Sequence, residues 1–185
     1  VIMQNNVSAA SQSYTISVGN GASGGTQTAT ISDGGTTSAF GFTAIGGKSV
    51  DPIATYAAQT GGDSGNGYSG GVGFDYSGYN SWDAGGGGAG ATGDGLDGFS
   101  GSSPSVNNGK GGPGYDLTSF IGSGNTLNLR FSNLITSNLI VAEGGNGGRS
   151  SDTGSDSFGS GSDGLYDTTI GGNGIGGAVI IRYAL

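Results

Sequence analysis

Two carboxylates three residues apart, Asp94 and Asp97, are the first candidates for chemistry in this sequence, since paired carboxylates serve as acid and base in glycosidases. A serine nucleophile needs a neighbouring base, and without histidine that base would have to be Lys48 or Lys110, each beside a glycine in a predicted loop. Nothing in the sequence positions these groups in a cleft. We therefore interpret Asp94 and Asp97 as solvated turn residues and predict that the protein is not an enzyme.

A second acidic stretch, "SDTGSDSFGSGSDG", raises the question of a metal site. It offers the carboxylates Asp152, Asp156 and Asp163 among many hydroxyl and carbonyl oxygens, which are the hard ligands that Ca²⁺ prefers. The spacing matches neither an EF-hand loop nor the nonapeptide calcium repeat. Acidic turns without metal are favoured, so we predict no cofactor, with Ca²⁺ kept as the alternative.

Charge and hydropathy exclude several classes of function. Thirteen acidic residues oppose five scattered basic ones, giving a net charge of −8, whereas nucleic-acid binding needs a cationic surface. No apolar run approaches the roughly 20 residues needed to span a bilayer, so membrane insertion is not expected. The chain has no cysteine, so no disulfide can form, and its stability must come from packing and hydrogen bonds.

The elements that must position any site are strands and glycine-rich coil, because no segment has the apolar spacing and caps of a helix. A hairpin is predicted from "SYTISV" (13–18) and "TQTATIS" (26–32), followed by a third strand, "AFGFTAI" (39–45). The fold class is all-β, a small sheet or sandwich combined with packed glycine-rich segments. We expect one domain, divided as follows: 1–45 hairpin region, 46–124 glycine-rich, 125–143 strand pair, 144–177 glycine-rich, 178–185 terminal strand.

The glycines themselves follow a period. Forty-five occur among 185 residues, with three prolines and no Gly-X-Y register, which excludes collagen. Gly87, Gly90 and Gly93 are spaced by three, as are Gly171, Gly174 and Gly177. A three-residue extended helix of polyproline II geometry would then have one face of bare backbone and could bond to similar helices. A flexible glycine/serine linker is the alternative, but the aromatic residues within the tracts argue against it.

Aromatic residues concentrate in "YSGGVGFDYSGYNSWD". Rigid rings among small polar residues are typical of adaptable binding loops, and flat rings also suit sugar faces. The alternative is that the rings plug the edges of the glycine stack, which has no apolar bulk of its own. The candidate binding residues are Tyr68, Phe74, Tyr76, Tyr79 and Trp82, with Tyr79 and Trp82 expected to be exposed.

Several of these motifs resemble a known family. "SYTISVGNGASGGT", "SAFGFTAIGG", "AGGGGAGATG", "NNGKGGPG" and "GGNGIGGAVIIRY" are similar to the glycine-rich domain of bacteriophage tail fibre and tail-tip adhesin proteins. The resemblance implies packed polyglycine II helices with variable loops that bind a host surface glycan or outer-membrane protein. It also implies a virion or extracellular location and other virion subunits as partners, including a homotrimer.

Two other functions stay open beside receptor binding. One is a purely structural extracellular module of a filament, capsid decoration or cell surface, and the other is ice binding by a flat glycine face. Where the family has a glycine-rich stretch before "YTISVG", this chain has "VIMQNNVSAAS". We therefore expect the chain to be the C-terminal part of a longer protein.

Overall fold

The fold was obtained as a computed structural model of the chain. It describes residues 1–24, 31–49, 60–74, 84–100, 106–107, 109–121, 140–147, 159–160 and 173–181. Within these ranges short antiparallel strands and extended coil account for nearly the whole structure, which confirms the all-β prediction. The described elements are β1 (Thr37–Ala39), β2 (Phe42–Ala44), β3 (Phe99–Ser100), β4 (Val106–Asn107), β5 (Tyr115–Asp116), α1 (Thr118–Ile121) and β6 (Ile140–Val141).

Within the described ranges there are three two-stranded antiparallel sheets, which pair β1 with β2, β3 with β4 and β5 with β6. The β1–β2 hairpin turns at Phe40 and Gly41, whose φ angles are 52° and 82°. Two consecutive positive φ values are those of a type I′ turn, whose twist matches that of the flanking strands. The stretch "AFGFTAI", predicted as a single strand, therefore contains the turn and the second strand of a hairpin.

The segment "SYTISV" lies beside this hairpin. Ser17 and Ser38 exchange two backbone hydrogen bonds of 2.9 and 2.8 Å, so residues 13 to 18 pair with β1 through an isolated antiparallel bridge. Its predicted partner, 26–32, lies mostly outside the described residues. We call Ser17 together with β1 and β2 the N-terminal sheet. It contains the β structure of the described residues among the first 45.

The one apolar core of the described chain lies at β5 and β6. Leu117 and Val141 are 3% and 7% exposed, and around them pack Val1, Met3, Tyr115, Phe120 and Ile180. Asp116 accepts a hydrogen bond from the Thr118 N–H at the start of α1, and the hydrogen bonds from Thr118 lower the pKa of Asp116. Both ends of the described chain thus meet in this cluster.

The two predicted C-terminal strand regions are partly described. Of 125–143, Ile140–Val141 forms β6 and pairs with β5, and residues 122–139 lie outside the described chain. Residues 178–181 belong to no strand of the described structure, and 182–185 lie outside it. Ile180 nevertheless packs beside Val141, and the preceding Gly177 donates to the Gly19 C=O at 2.9 Å.

Most of the described interior is glycine. Eleven of the fifteen buried residues are glycines, and eight of these belong to residues 71–112. They lie in extended segments that bond to one another, which we name the glycine bundle. Its segments are 60–63, 69–73, 84–91, 93–98, 109–114 and 141–147.

Segment 84–91 is the centre of the bundle, because it bonds to all five other segments. Ala89 N–H donates to the Gly62 C=O, and the Gly87 C=O accepts from Gly71. Gly87 N–H in turn donates to the Leu96 C=O at 2.9 Å. Segment 109–114 donates to the central segment, from Gly109 to Gly85 and from Gly112 to Gly88. The central segment donates to segment 141–147, from Gly88 to Gly145 and from Ala91 to Ala142.

Partners along the central segment recur every three residues. Positions 85, 88 and 91 hydrogen-bond to segments 109–114 and 141–147, whereas position 84 bonds to Phe74, position 87 to segments 69–73 and 93–98, and position 90 to Gly93. A period of three is that of the polyproline II helix, which has no internal hydrogen bonds and leaves every N–H and C=O for neighbours. The hydrogen bonds of the central segment thus recur at the same spacing of three residues as the glycines from which extended segments were predicted.

Glycine is required in the bundle for space. An added Cβ at Gly71, Gly87 or Gly109 would come within 3.0 Å of a carbonyl group in a neighbouring segment. Among the described glycines only Gly41, Gly67 and Gly159 have positive φ, and none of these lies within a bundle segment. Backbones approach so closely that even a methyl group does not fit.

Candidate binding site

One end of the glycine bundle carries two of the connections between its segments, both of which contain aromatic residues. Phe74 and Ala84 pair by two backbone hydrogen bonds of 2.8 and 2.9 Å, and residues 75–83 connect them. Beside them Gly98 N–H donates to the Val72 C=O, and Gly109 N–H to the Gly85 C=O. Connections 75–83 and 99–108 therefore begin and end here. We name this the loop end.

The opposite end of the bundle carries tight turns. Ser64 N–H donates to the Tyr68 C=O at 2.9 Å, closing the turn before segment 69–73. Residues 91–93 turn directly from the central segment into the next one, where Gly90 N–H donates to the Gly93 C=O. Connection 115–140 also begins and ends here, since Thr92 N–H donates to the Pro113 C=O and Ala91 N–H donates to the Ala142 C=O. The two ends thus differ in which connections they carry.

The predicted binding aromatics divide between these ends. Phe74 lies half-buried at the loop end, whereas Tyr68 is 36% exposed at the tight-turn end. Six residues of extended helix separate them, about 19 Å at a rise of ~3.1 Å per residue. Tyr76, Tyr79 and Trp82 lie outside the described residues, within the connection whose two ends are Phe74 and Ala84.

A further aromatic at the loop end was missed by the sequence analysis. Phe99 begins β3 and is 57% exposed, directly after the buried Gly98. The three-residue period could have predicted the exposure of Phe99. Gly95 and Gly98 are buried at a spacing of three, so the residue after Gly98 lies on an outer face of the segment. Phe99 therefore lies at the same end of the bundle as Phe74 and Ala84, the first residue of the central segment.

Asx-Gly dipeptides form a repeated contact between segments, which we call the Asx-Gly clamp. The Asn146 side-chain oxygen accepts from the Gly111 N–H while the next residue, Gly147, donates to the Gly109 C=O. Asn173 and Gly174 hold Gly24 and Ala22 in the same way. In each case the two residues held are two positions apart on an antiparallel segment.

Asp94 and Asp97 form the parallel version of this clamp. Asp94 accepts from the Ser69 N–H at 2.8 Å, and Gly95 donates back to the Ser69 C=O. Asp97 accepts from the Val72 N–H at 2.6 Å, and Gly98 donates to the Val72 C=O. These carboxylates are exposed, but they bind backbone amides of a neighbouring segment and do not lie in solvated turns as the sequence analysis proposed.

The glycine-rich domain family model matches residues 1–184, nearly the whole chain. The chain belongs to the glycine-rich domain family. No curated protein and no solved structure gives a significant match. The bundle described above is thus the interior of a glycine-rich domain.

One lysine considered as a catalytic base in this glycine-rich domain is held in an ion pair. Lys48 Nζ lies 2.7 Å from one carboxylate oxygen of Asp33. The other carboxylate oxygen of Asp33 accepts hydrogen bonds from the N–H and the hydroxyl of Ser49. The hydrogen bond from Lys48 is the largest cause that lowers the pKa of Asp33, to about 2, and the same bond raises the pKa of Lys48. A raised pKa keeps the ammonium protonated, which is the opposite of what a basic catalyst needs.

The calcium alternative falls on residues that the structure does not describe, namely Asp152, Asp156 and Asp163. In the described ranges of the glycine-rich domain, no three acidic side chains come together in a way that could hold a metal ion. The helices among those same residues include none that is long and apolar enough to cross a membrane.

Proposed function

We propose that this glycine-rich domain is the distal domain of a phage fibre or tail tip and binds a host cell-surface receptor noncovalently. The loop end is the proposed binding surface. The receptor class is a surface glycan or an outer-membrane protein. The proposal combines the resemblance of the sequence to tail-fibre and tail-tip proteins with the arrangement of the bundle.

The observation that carries the proposal is the anchoring of connection 75–83. Its flanking residues pair with each other, and Ala84, the first residue of the central segment, is 0% exposed. The connection is therefore fixed at both ends to the most enclosed segment of the bundle. Anchored ends reduce the entropy lost when a loop is ordered by a ligand, which favours affinity.

The residues of this connection have the chemistry of a recognition loop. Tyr76, Tyr79 and Trp82 are interspersed with glycine, serine and asparagine, a composition that combines rigid apolar rings with adaptable hydrogen bonding. Phe74 and Phe99 add two more rings at the ends of the neighbouring segments. Basic residues are scarce, with five in the chain, so nucleic acid is not proposed as a ligand.

Cell binding by the isolated chain tests this function. The labelled chain is incubated with a panel of intact bacterial cells, and retention on cells is measured for the parent and for the double variant Tyr79→Ala/Trp82→Ala. Tyr68→Ala is the matched control, since Tyr68 is an exposed ring at the tight-turn end. We expect the parent and the control to bind the same strain and the double variant to lose binding.

A structural module is the second candidate. It is favoured by the open sheet edge at Ile16 and Val18, where exposed apolar side chains suit contact with neighbouring subunits. Retention by no strain, or undiminished retention of the double variant, would contradict receptor binding through the loop end. The first of these outcomes would favour the structural module.

A further inference from the structure

The N-terminal sheet has one apolar face and one polar face. Ser17 pairs with Ser38, and Ser38 pairs with Thr43, which makes a polar row on one face. Extending the register by one residue places Ile16 opposite Ala39, which itself pairs with Phe42. The second row on this face is made in the same way by Val18, Thr37 and Ala44, and the Thr37 hydroxyl in it accepts from the Gly19 N–H.

This apolar face is exposed. Ile16, Val18 and Phe42 are 45%, 52% and 37% exposed. Large apolar side chains clustered on one surface of a soluble protein mark an interaction site. The exposed apolar side chains of this face therefore include Ile16 and Val18, which lie on the edge strand of the sheet.

Among the described residues, no strand pairs with the outer edge formed by residues 16–18. Because Ser17 directs its N–H and C=O towards Ser38, the N–H and C=O of Ile16 and Val18 point away from β1. Neither residue makes a backbone hydrogen bond in the described part of the chain. Such an edge is a template for pairing with another strand.

Nothing in the sequence of this region protects the edge. Natural sheets blunt their edges with charged side chains or proline. Here the first charged residue is Asp33 and the first proline is Pro52, so residues 1–32 carry neither. In a chain of net charge −8, this uncharged stretch is where a second acidic copy meets least repulsion.

We propose that the edge at Ile16–Val18 pairs with the same edge of a second copy of this chain. In an antiparallel two-fold arrangement centred on Ser17, Ile16 of each copy lies opposite Val18 of the other. These residues exchange four backbone hydrogen bonds, and their side chains form two aliphatic cross-strand pairs. The two N-terminal sheets become one continuous sheet.

This contact is isologous, so it closes after two copies. It therefore differs from the homotrimer that the family resemblance implies. The inference is independent of receptor binding, because the edge belongs to the N-terminal sheet and the loop end to the glycine bundle. Either one can fail without the other.

Sedimentation equilibrium of the chain over a concentration series tests the pairing. We expect a concentration-dependent species of twice the chain mass of 17.8 kDa. The variant Ile16→Lys/Val18→Lys places ammonium groups across the two-fold axis and should weaken association about tenfold or more. Leu96→Lys is the matched control, since Leu96 is 59% exposed in the glycine bundle, and it should associate as the parent does.

A second variant keeps the test independent of charge. Val18→Pro removes an N–H that has no partner in the described chain but would donate to the second copy, so it should weaken association while leaving the melting temperature close to that of the parent. A parent that stays monomeric, a trimer, or a dimer that survives both edge variants would overturn the proposal.

Discussion

The described part of the chain has two interiors of different kind. At β5 and β6 the interior is apolar, built from Leu117 and Val141 with their neighbours. In the glycine bundle it is mainly backbone, because the buried positions are glycines apart from Ala84 and Val141. The first is stabilised by removing hydrocarbon from water, the second by backbone hydrogen bonds and close contact between main chains. The comparison teaches that a chain poor in large side chains can enclose an interior when its backbones pack directly.

The two interiors should respond oppositely to added volume, and Gly90→Val gives the largest expected effect. Gly90 is buried, and an added Cβ would lie within 3.0 Å of the Gly112 and Pro113 carbonyl oxygens, so a branched side chain must separate two segments. We expect a loss of stability of about 3 kcal/mol, at the upper end of the usual cost of overpacking. Thermal unfolding measures it.

Gly47→Ala is the control for this variant. Its Cβ would find only the Asp63 carbonyl oxygen, at 3.6 Å, and Gly47 has no positive φ. The alanine should be neutral or stabilise by about 0.4–1 kcal/mol through the unfolded state. Equal melting temperatures for Gly90→Val and the parent would mean that segment 84–91 is not packed as described.

The apolar interior should respond to lost volume. Leu117→Ala removes most of the larger buried side chain, and since the cluster is small we expect about 2 kcal/mol, at the lower end of the range for such truncations. The glycine bundle should stay protected. Hydrogen exchange checks this: amides of Gly87 and Gly112 that lose protection together with those of β6 would show that the two interiors are one cooperative unit.

How far the sequence predicts this structure can be judged from particular residues. The spacing of Gly87, Gly90 and Gly93 predicted extended three-residue segments, because period alone determines which positions face a neighbour. The hairpin turn at Phe40 was missed because a phenylalanine rarely has positive φ. The roles of Asp94 and Asp97 were also missed, since their partners Ser69 and Val72 are 25 residues away and only the register between segments brings them together.

The same limit applies to the candidate site. Phe74 and Tyr68 were predicted to share one site because they are close in sequence. They lie at opposite ends of the bundle because the segment between them is extended. Phe99 lies far from both in sequence, but segment 93–98 ends beside Val72 and so places Phe99 at the end of the bundle where the central segment starts.

Variants of Asp97 test how much the Asx-Gly clamp contributes to the stability of the glycine bundle. Asp97→Ala leaves the Val72 N–H without its acceptor, and because the site is exposed to water we expect a loss of about 1 kcal/mol. Asp97→Asn keeps an oxygen acceptor and should lie closer to the parent in chemical denaturation. An alanine variant as stable as the asparagine variant would show that the clamp contributes nothing.

The smallest effect is expected at the exposed pair of Asp33 and Lys48. The folded pKa of Asp33, about 2, lies below its unfolded value, so the contribution is present above the unfolded pKa and is lost as pH falls towards 2. The raised pKa of Lys48 acts in the other direction, its contribution being lost only in strong alkali. The difference in melting temperature between the parent and Asp33→Asn should therefore shrink in acid. A difference independent of pH would contradict this.

Adjacent glycines in the central segment give the most direct test of packing by bare backbone. At Gly87 an added Cβ would lie within 3.0 Å of Lys110 and Gly111 backbone atoms, whereas at Gly88 the nearest atom would be the Gly145 nitrogen at 3.4 Å. The measurement is thermal unfolding of Gly87→Ala and Gly88→Ala side by side. Gly87→Ala should melt well below the parent, by a loss of roughly 2 kcal/mol from overpacking, and Gly88→Ala close to it. Equal melting temperatures for the two alanine variants would contradict the account.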